Sequence, residues 1–273
     1  MRKSLLGAAA LVLLAGAAHS ADVYQPEPLP SLMDAPEVTV QEASGWYLRG
    51  DVGYGFNKSR GVEYFQGDND NLVDFTSASL KDGFLLGGGV GYQINNYLRT
   101  DVTFDYMKSD FSGSTSGYCI VGPCTSRDQA SLNAYSLMAN VYVDLGTYGS
   151  VTPYVGGGIG GTYVKWGRLR NTICDDPGRD CYSYDHEGEK SWRFTYALMA
   201  GATIDLTCAL KADVGYRFRH VTGGEMFGYV ENGGPGRDKG FYSHEARVGA
   251  RYLLGGCDTP VSYEPPIEPI VYK

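Results

Sequence analysis

Apolar and polar side chains alternate along much of the chain with a period of two residues. In residues 45–56, apolar side chains such as Trp46 and Val52 occupy even positions, and the charged Arg49 and Asp51 occupy odd positions. This alternation predicts a β-strand with one apolar face and one polar face. The same period predicts seven further strands, at residues 84–94, 97–106, 135–145, 151–164, 192–206, 210–221 and 242–254.

The connections between these eight segments alternate strictly between short turns and long, polar loops. The turns are at residues 95–96, 146–150 and 207–209, and the loops are at residues 57–83, 107–134, 165–191 and 222–241. Strands of about 9–11 residues joined in this order are typical of outer-membrane barrels. We therefore predict an all-β fold, an eight-stranded antiparallel up-and-down transmembrane β-barrel over residues 45–254. The alternative is a soluble β-sandwich, whose Greek-key connections do not favour this strict order.

A barrel in lipid turns one face of each strand to hydrocarbon and the other to its lumen. Only a closed ring satisfies the strand backbones in a bilayer, so the apolar face should point outward and the charged face inward. About eight strands leave an interior that side chains fill. We predict a lumen charge network formed by Arg49, Asp51, Arg99, Asp101, Asp105, Arg193, Asp205, Lys211, Asp213, Arg217, Arg219, Glu245, Arg247 and Arg251. The alternative is that these charges line a conduction path.

The two ends of the chain have their own composition. Residues 1–20 combine Arg2 and Lys3 with a short apolar run and small residues, which predicts a secretory signal peptide rather than an uncleaved anchor helix. Residues 21–44 and 255–273 are rich in Pro and Glu and are predicted to be unfolded segments. An even number of strands places both segments in the periplasm, as linkers or as contacts to the cell wall.

Composition limits the classes of partner and cofactor. The chain has 38 Gly and 22 Tyr among 273 residues and a net charge of -8, which excludes the basic patch that nucleic acid requires. The glycine-rich residues 156–161 fit a dinucleotide-binding spacing, but they lie within a strand pattern with no helix after them. Residues 68–71 are acidic but lack the rest of a calcium loop. We therefore predict no cofactor and no metal site.

Six cysteines indicate an oxidising compartment. They are predicted to pair as Cys119 with Cys124, Cys174 with Cys181 and Cys208 with Cys257, because the strand order brings each of these pairs to one rim of the barrel. Zinc is the competing use of paired cysteines, but neighbouring ligands are missing from the sequence.

Two strand motifs resemble a known family. Residues 45–54, Gly-Trp-Tyr-Leu-Arg-Gly-Asp-Val-Gly-Tyr, and residues 153–160, Pro-Tyr-Val-Gly-Gly-Gly-Ile-Gly, are similar to the small outer-membrane proteins of alphaproteobacteria. That group resembles the barrels of OmpA and OmpX and the opacity-type adhesins. The resemblance implies an abundant surface antigen that contributes to envelope integrity and sometimes to host contact. Such barrels commonly end on an aromatic residue, whereas this chain continues beyond its last strand.

These observations predict a monomeric surface protein of the outer membrane, in contact with membrane lipids and lipopolysaccharide. Its loops would either contact an extracellular protein or host surface through exposed aromatic residues or serve as flexible loops that shield the mouth of the barrel. The aromatic residues are Tyr64, Phe65, Tyr118, Tyr182, Tyr184, Phe227 and Tyr229. A narrow pore for small solutes is the main alternative. A lipid-A-modifying enzyme is a weaker one, because only His186, His220 and His244 follow the signal peptide, and the last two fall on the outward face.

Overall fold

The structure is a computed structural model that describes residues 44–65, 72–119, 122–175, 180–230 and 234–255, with the backbone alone for Cys119. The predicted signal peptide lies outside these ranges. So do all but one residue of each Pro-rich segment.

The regular elements of the described residues are all β-strands, and none of these residues forms a helix long and apolar enough to cross a membrane. The strands are β1 (Gly45–Ser59), β2 (Val62–Phe65), β3 (Leu72–Asp74), β4 (Ser77–Leu80), β5 (Gly83–Gln93), β6 (Leu98–Cys119), β7 (Gly122–Asp144), β8 (Val151–Trp166), β9 (Leu169–Asp175), β10 (Cys181–His186), β11 (Lys190–Asp205), β12 (Leu210–Phe227) and β13 (Gly236–Leu253).

Eight strands form a closed antiparallel ring in the order β1, β5, β6, β7, β8, β11, β12, β13 and back to β1. The first and last strands pair from Tyr47 opposite Leu253 to Ser59 opposite Phe241. Every strand of the ring therefore has a hydrogen-bonded neighbour on both sides, and the predicted fold class is confirmed. We call the end of the ring with the three short connections the turn end, and the opposite end the loop end.

In the half of the ring nearer the turn end, the outward side chains are apolar and the inward side chains are polar. Outward-pointing Val52 and Val248 are about half exposed, whereas inward-pointing Asp51, Thr103 and Asp105 are buried. An apolar exterior around a polar interior is the arrangement that lipid imposes on a barrel.

The strands continue further toward the loop end than the alternation predicts. Most of the predicted loop 107–134 is a β-hairpin made by β6 and β7, and β9 pairs with β7 beyond the end of β8. Likewise β4 pairs with β6, and β2 pairs with β13. The prediction of long, polar loops was wrong for most of these residues, which form strands that lengthen the barrel wall.

The extension was missed because the alternation inverts along the strands that extend beyond the membrane, as β6 illustrates. On β6 the inward positions change from Asp105 to Met107 and Phe111, and the outward positions change from Tyr106 to Lys108. Beyond the bilayer the wall is surrounded by water, so apolar side chains gain free energy by facing inward. The alternation that predicts strands with outward apolar residues therefore stops where the strand leaves the lipid.

An apolar core fills the interior of this extension. Trp166 packs edge-on against Phe111, with 5.8 Å between ring centroids, and Phe75 lies between Phe111 and Phe227. Phe227 is 3% exposed and Tyr64 packs against the core, so the prediction of two exposed loop aromatics was wrong at these positions. The other buried members are Val62, Leu80, Leu85, Met107, Ala130, Leu132, Ala134, Val164, Leu169, Val221, Met226 and Phe241.

Candidate functional site

A buried network of ion pairs crosses the lumen. Glu245 on β13 pairs with Arg217 at 2.6 Å and with Arg219 at 2.7 Å, both on β12. Arg217 also reaches Asp105 on β6 at 2.8 Å, as does Arg247 from β13. β6 and β12 are four strands apart in a ring of eight, so the contact between Arg217 and Asp105 spans the lumen.

The same network continues to β1. Arg49 pairs with Asp51 and with Asp101, each at 2.7 Å, and Arg247 lies 3.5 Å from Asp51. The side chains of all eight members are at most 10% exposed. We call these eight residues the lumen network. Arginine suits this role because its planar group donates several hydrogen bonds at once and stays charged.

Toward the turn end, arginine is held by aromatic rings as well as by acids. The guanidinium of Arg99 lies 4.2 Å from the ring centroid of Tyr142 and 4.5 Å from that of Tyr154. Its Nε donates to Asp144 at 3.1 Å. Cation–π contact and an ion pair together compensate a buried charge.

A second such arrangement is built around Arg251. Its Nε donates to Asp213 at 2.6 Å, and its guanidinium lies 5.4 Å from the ring of Tyr47. The Tyr47 ring occupies the space where a Cβ on Gly91 would be placed. Glycine on the inward face of β5 thus makes room for a bulky lumen neighbour.

The polar lumen ends at the apolar core of the loop end. There Arg193 pairs with Asp238 at 2.7 Å, and the indole nitrogen of Trp166 donates to the same carboxylate at 3.2 Å. Trp166 therefore belongs to both layers, with its ring in the apolar core and its N–H in the polar one.

A small void lies within the lumen network. A void of about 20 Å³ lies between Arg49, Tyr142 and Arg217, which is room for about one water molecule. Nη2 of Arg217 and Nε of Arg247 have no hydrogen-bond partner among the described protein atoms.

The structure places nearly all of the predicted lumen charges inside the ring. Asp205 and Lys211 are the exceptions, since they form a 2.6 Å pair at the turn end with side chains 34% and 24% exposed. Arg99, Arg251 and Arg193 are inside, but they pair with acids outside the lumen network.

Several lumen residues were missed by the sequence reasoning. Tyr47 and Tyr142 share the inward parity of charged neighbours, and Tyr154 has the parity opposite to the outward Val155, so parity alone could have found them. Asp144 also has the inward parity of its predicted strand. Asp238 could not be found in this way, because it fell within a predicted loop.

One buried acid lies in the loop-end extension. Burial raises the pKa of the Asp128 carboxyl, and hydrogen bonds from Asn171 and Ser126 oppose the rise. A carboxyl whose pKa is higher in the folded state stabilises the fold most at acid pH, and this contribution decreases as the pH rises through the folded pKa.

A disulfide joins Cys174 to Cys181 across the β9–β10 hairpin, with 4.2 Å between their Cα atoms. Cys124 and Cys208 are also disulfide-bonded. Their predicted partners, the side chain of Cys119 and Cys257, lie outside the described part of the chain.

The three described imidazoles contact a tyrosine hydroxyl, an arginine and a backbone carbonyl. Nδ1 of His244 lies 2.6 Å from the hydroxyl of Tyr216, and Nε2 of His220 lies 3.4 Å from Arg60. Nδ1 of His186 lies 3.0 Å from a backbone carbonyl. Within residues 44–255, where described, no group of three or more His, Cys, Asp or Glu is placed to hold a metal ion.

Comparison with known proteins gives a consistent result. Residues 8–252 match the family model of the outer membrane protein beta-barrel domain. An uncharacterised protein of Brucella abortus is 36% identical over 277 aligned positions, covering 89% of this chain and 94% of the relative. A protein of Rickettsia conorii named a putative adhesin is 24% identical, covering 80% and 85%.

Among solved structures, Neisserial surface protein A is similar, with a TM-score of 0.43 and 18% identity. The match covers 78% of this chain and 100% of that protein.

The lumen network gives a prediction for stability. Replacing Glu245 with Gln leaves Arg219 without its carboxylate and Arg217 with one acid in place of two. We expect a loss of about 3 kcal/mol or more in the free energy of unfolding, because a buried charge loses its partner. The control, Asp205→Asn, removes an acid from a partly exposed pair and should cost less than about 1 kcal/mol. Urea unfolding in lipid vesicles measures both, and equal midpoints would contradict the role given to the network.

The cysteines give a prediction for covalent structure. Peptide mapping without reducing agent should recover Cys208 linked to Cys257 and Cys119 linked to Cys124, beside the bridge at Cys174. Linking Cys208 to Cys257 would close a loop of about 50 residues and stabilise the fold by about 4 kcal/mol at most. Recovery of Cys208 joined to a cysteine of the loop end would contradict the strand order.

Proposed function

The chain belongs to the outer membrane protein beta-barrel family, and from this premise we propose that it is a non-conducting, monomeric surface protein. In this proposal it contributes to the integrity of the outer membrane and presents its loop end to extracellular partners. The proposal assigns it no enzymatic activity, because the described imidazoles contact Tyr, Arg and backbone groups rather than the Ser or carboxylate that would activate them.

The packing of the lumen is the observation that carries this proposal. Arg217 and Asp105 meet across the ring, and Glu245 and Arg247 fill the space beside them. Moving an ion or solute through this layer would require breaking several buried ion pairs at once. The apolar core of the loop end adds a second layer of side chains in the same interior.

Barrels of this family have short periplasmic turns and longer extracellular loops. By this rule the turn end faces the periplasm and the loop end faces the outside of the cell. Outside the cell, the extension would form a firm platform, because an apolar core supports its strands from within.

Exposed aromatic side chains make the loop end suited to binding. Tyr118 is 84% exposed and Tyr229 is 66% exposed, and Tyr182 and Tyr184 stand together on β10. Aromatic residues contribute much of the free energy of protein contacts. The name of the Rickettsia relative, a putative adhesin, supports a role in contact with a host surface.

Conduction is the first test of the proposal. Purified protein inserted into planar bilayers should show no large, stable ohmic conductance, because the lumen is packed. The double variant Arg217→Ser with Asp105→Ser removes both ends of the contact that spans the lumen, and its conductance should rise. A known porin serves as the positive control. Reproducible porin-like currents from the unmodified protein would favour the narrow pore instead.

A deletion tests the role of the loop end. Removing residues 170–185 and joining the ends with a short Gly-Ser linker deletes most of the β9–β10 hairpin but keeps the buried Leu169 and His186. We expect normal membrane insertion, since β9 and β10 pair outside the ring, and weaker binding of antibodies or host cells.

The variant Tyr182→Ser with Tyr184→Ser is the matched control for that deletion, because it keeps the hairpin and changes only its aromatic side chains. Loss of insertion in the deletion variant would show that the hairpin is structural.

A further inference from the structure

A row of lysines lies on the outer wall where the exterior pattern changes from apolar to polar. The strand register places Lys108 opposite Asn133, Asn133 opposite Lys165, and Lys165 opposite Lys190. These positions belong to four adjacent strands, β6, β7, β8 and β11. Lys108, Lys165 and Lys190 are exposed, and we call them the lysine row.

The lysine row forms no ion pair within the described residues. None of its three members has a carboxylate within 4.0 Å, whereas Lys81, Lys211 and Lys239 all do. Like charges directly opposite each other on paired strands are destabilising, which applies to Lys165 and Lys190. A row built in this way favours an anion from outside the chain.

A belt of aromatic residues lies directly beneath the lysine row, two residues nearer the turn end on each strand. Its members are also opposite each other in register: Tyr106, Tyr135, Tyr163 and Trp192. The hydroxyl of Tyr106 donates to Asn133 at 2.9 Å and so connects the two rows. Aromatic belts lie at the boundary between hydrocarbon and water, so the lysine row lies at the level of lipid headgroups.

We propose that the lysine row binds the phosphate groups of lipid A in the outer leaflet, a site that rests on the outward orientation of the loop end proposed above. The required ligand is an anion with acyl chains, because the cations lie above an apolar wall. The row spans three strand spacings, or about 14 Å, which allows contact with more than one phosphate. Lysine side chains are long enough to extend from the wall to headgroups.

The test uses the full mature chain in neutral detergent, checked for folding by its heat-dependent migration on gels. Binding of purified lipid A is measured for the unmodified protein and for Lys165→Gln with Lys190→Gln. The matched control is Lys81→Gln with Lys239→Gln, which removes the same charge from exposed lysines that already have carboxylate partners. We expect the first variant to bind lipid A about tenfold or more weakly, and the control to bind nearly as well as the unmodified protein.

Three other probes identify the occupant. Dephosphorylated lipid A should bind the unmodified protein about as weakly as lipid A binds the lysine variant. Phosphatidylglycerol should bind more weakly than lipid A. Millimolar inorganic phosphate should not displace bound lipid A. Equal binding of phosphatidylglycerol would overturn lipid A as the occupant, and displacement by phosphate would make the site one for free anions.

Thermal unfolding gives an independent measurement. Without lipid A, Lys190→Gln should unfold at the same or a higher temperature than the unmodified protein, because it removes a repulsion. Lipid A should raise the midpoint of the unmodified protein and raise that of Lys165→Gln with Lys190→Gln much less. Equal affinity and equal midpoint shifts would overturn the site, and neither measurement depends on whether the lumen conducts.

Discussion

Backbone hydrogen bonding in hydrocarbon constrains everything else in this protein. An unpaired backbone amide or carbonyl costs several kcal/mol in lipid, so a sheet that enters the bilayer must close on itself. Here β13 returns to β1 along most of its length, and the ring has eight members. That number fixes the width of the lumen, and the width lets Arg217 reach Asp105 from the opposite wall. The buried ion pairs thus follow from closure: a ring this narrow holds side chains, and its inward face carries charges that need partners.

The longer wall strands, such as β6, pass through two solvents and therefore carry two patterns. Within the bilayer the apolar side chains face lipid and the interior is polar. Beyond it, the apolar side chains turn inward and form a core like that of a soluble protein. Trp166 and Asp238 meet where the two interiors join, through one hydrogen bond from the indole nitrogen. The molecule therefore has a polar core in the membrane and an apolar core above it.

The sequence predicted the membrane part of the fold well and the extension poorly, for one physical reason. The predicted strand at residues 84–94 corresponds to β5 at Gly83–Gln93, because both of its ends lie near the limits of the apolar exterior. The predicted strand at residues 210–221 stops six residues before the end of β12, since beyond Val221 the exterior is no longer apolar. Inward parity was enough to place Arg217 and Asp105 in the lumen. It could not pair them, because their contact depends on the stagger of strands on opposite sides of the ring.

The charges on the outer wall, rather than those in the lumen, indicate where this protein contacts an anionic partner. Inside the ring, the buried guanidinium groups each have a carboxylate partner within the described residues, so charge is balanced there. Outside, on the wall at the level of the aromatic belt, Lys165 and Lys190 face each other without a carboxylate nearby. The chain as a whole has a net charge of -8, so acidic residues outnumber basic ones. The lysines at this belt are therefore unpaired because of where the acidic residues lie, not because acidic residues are few. Placing cations together where lipid headgroups lie costs stability in the isolated chain, and it is stabilising when the membrane supplies the anion.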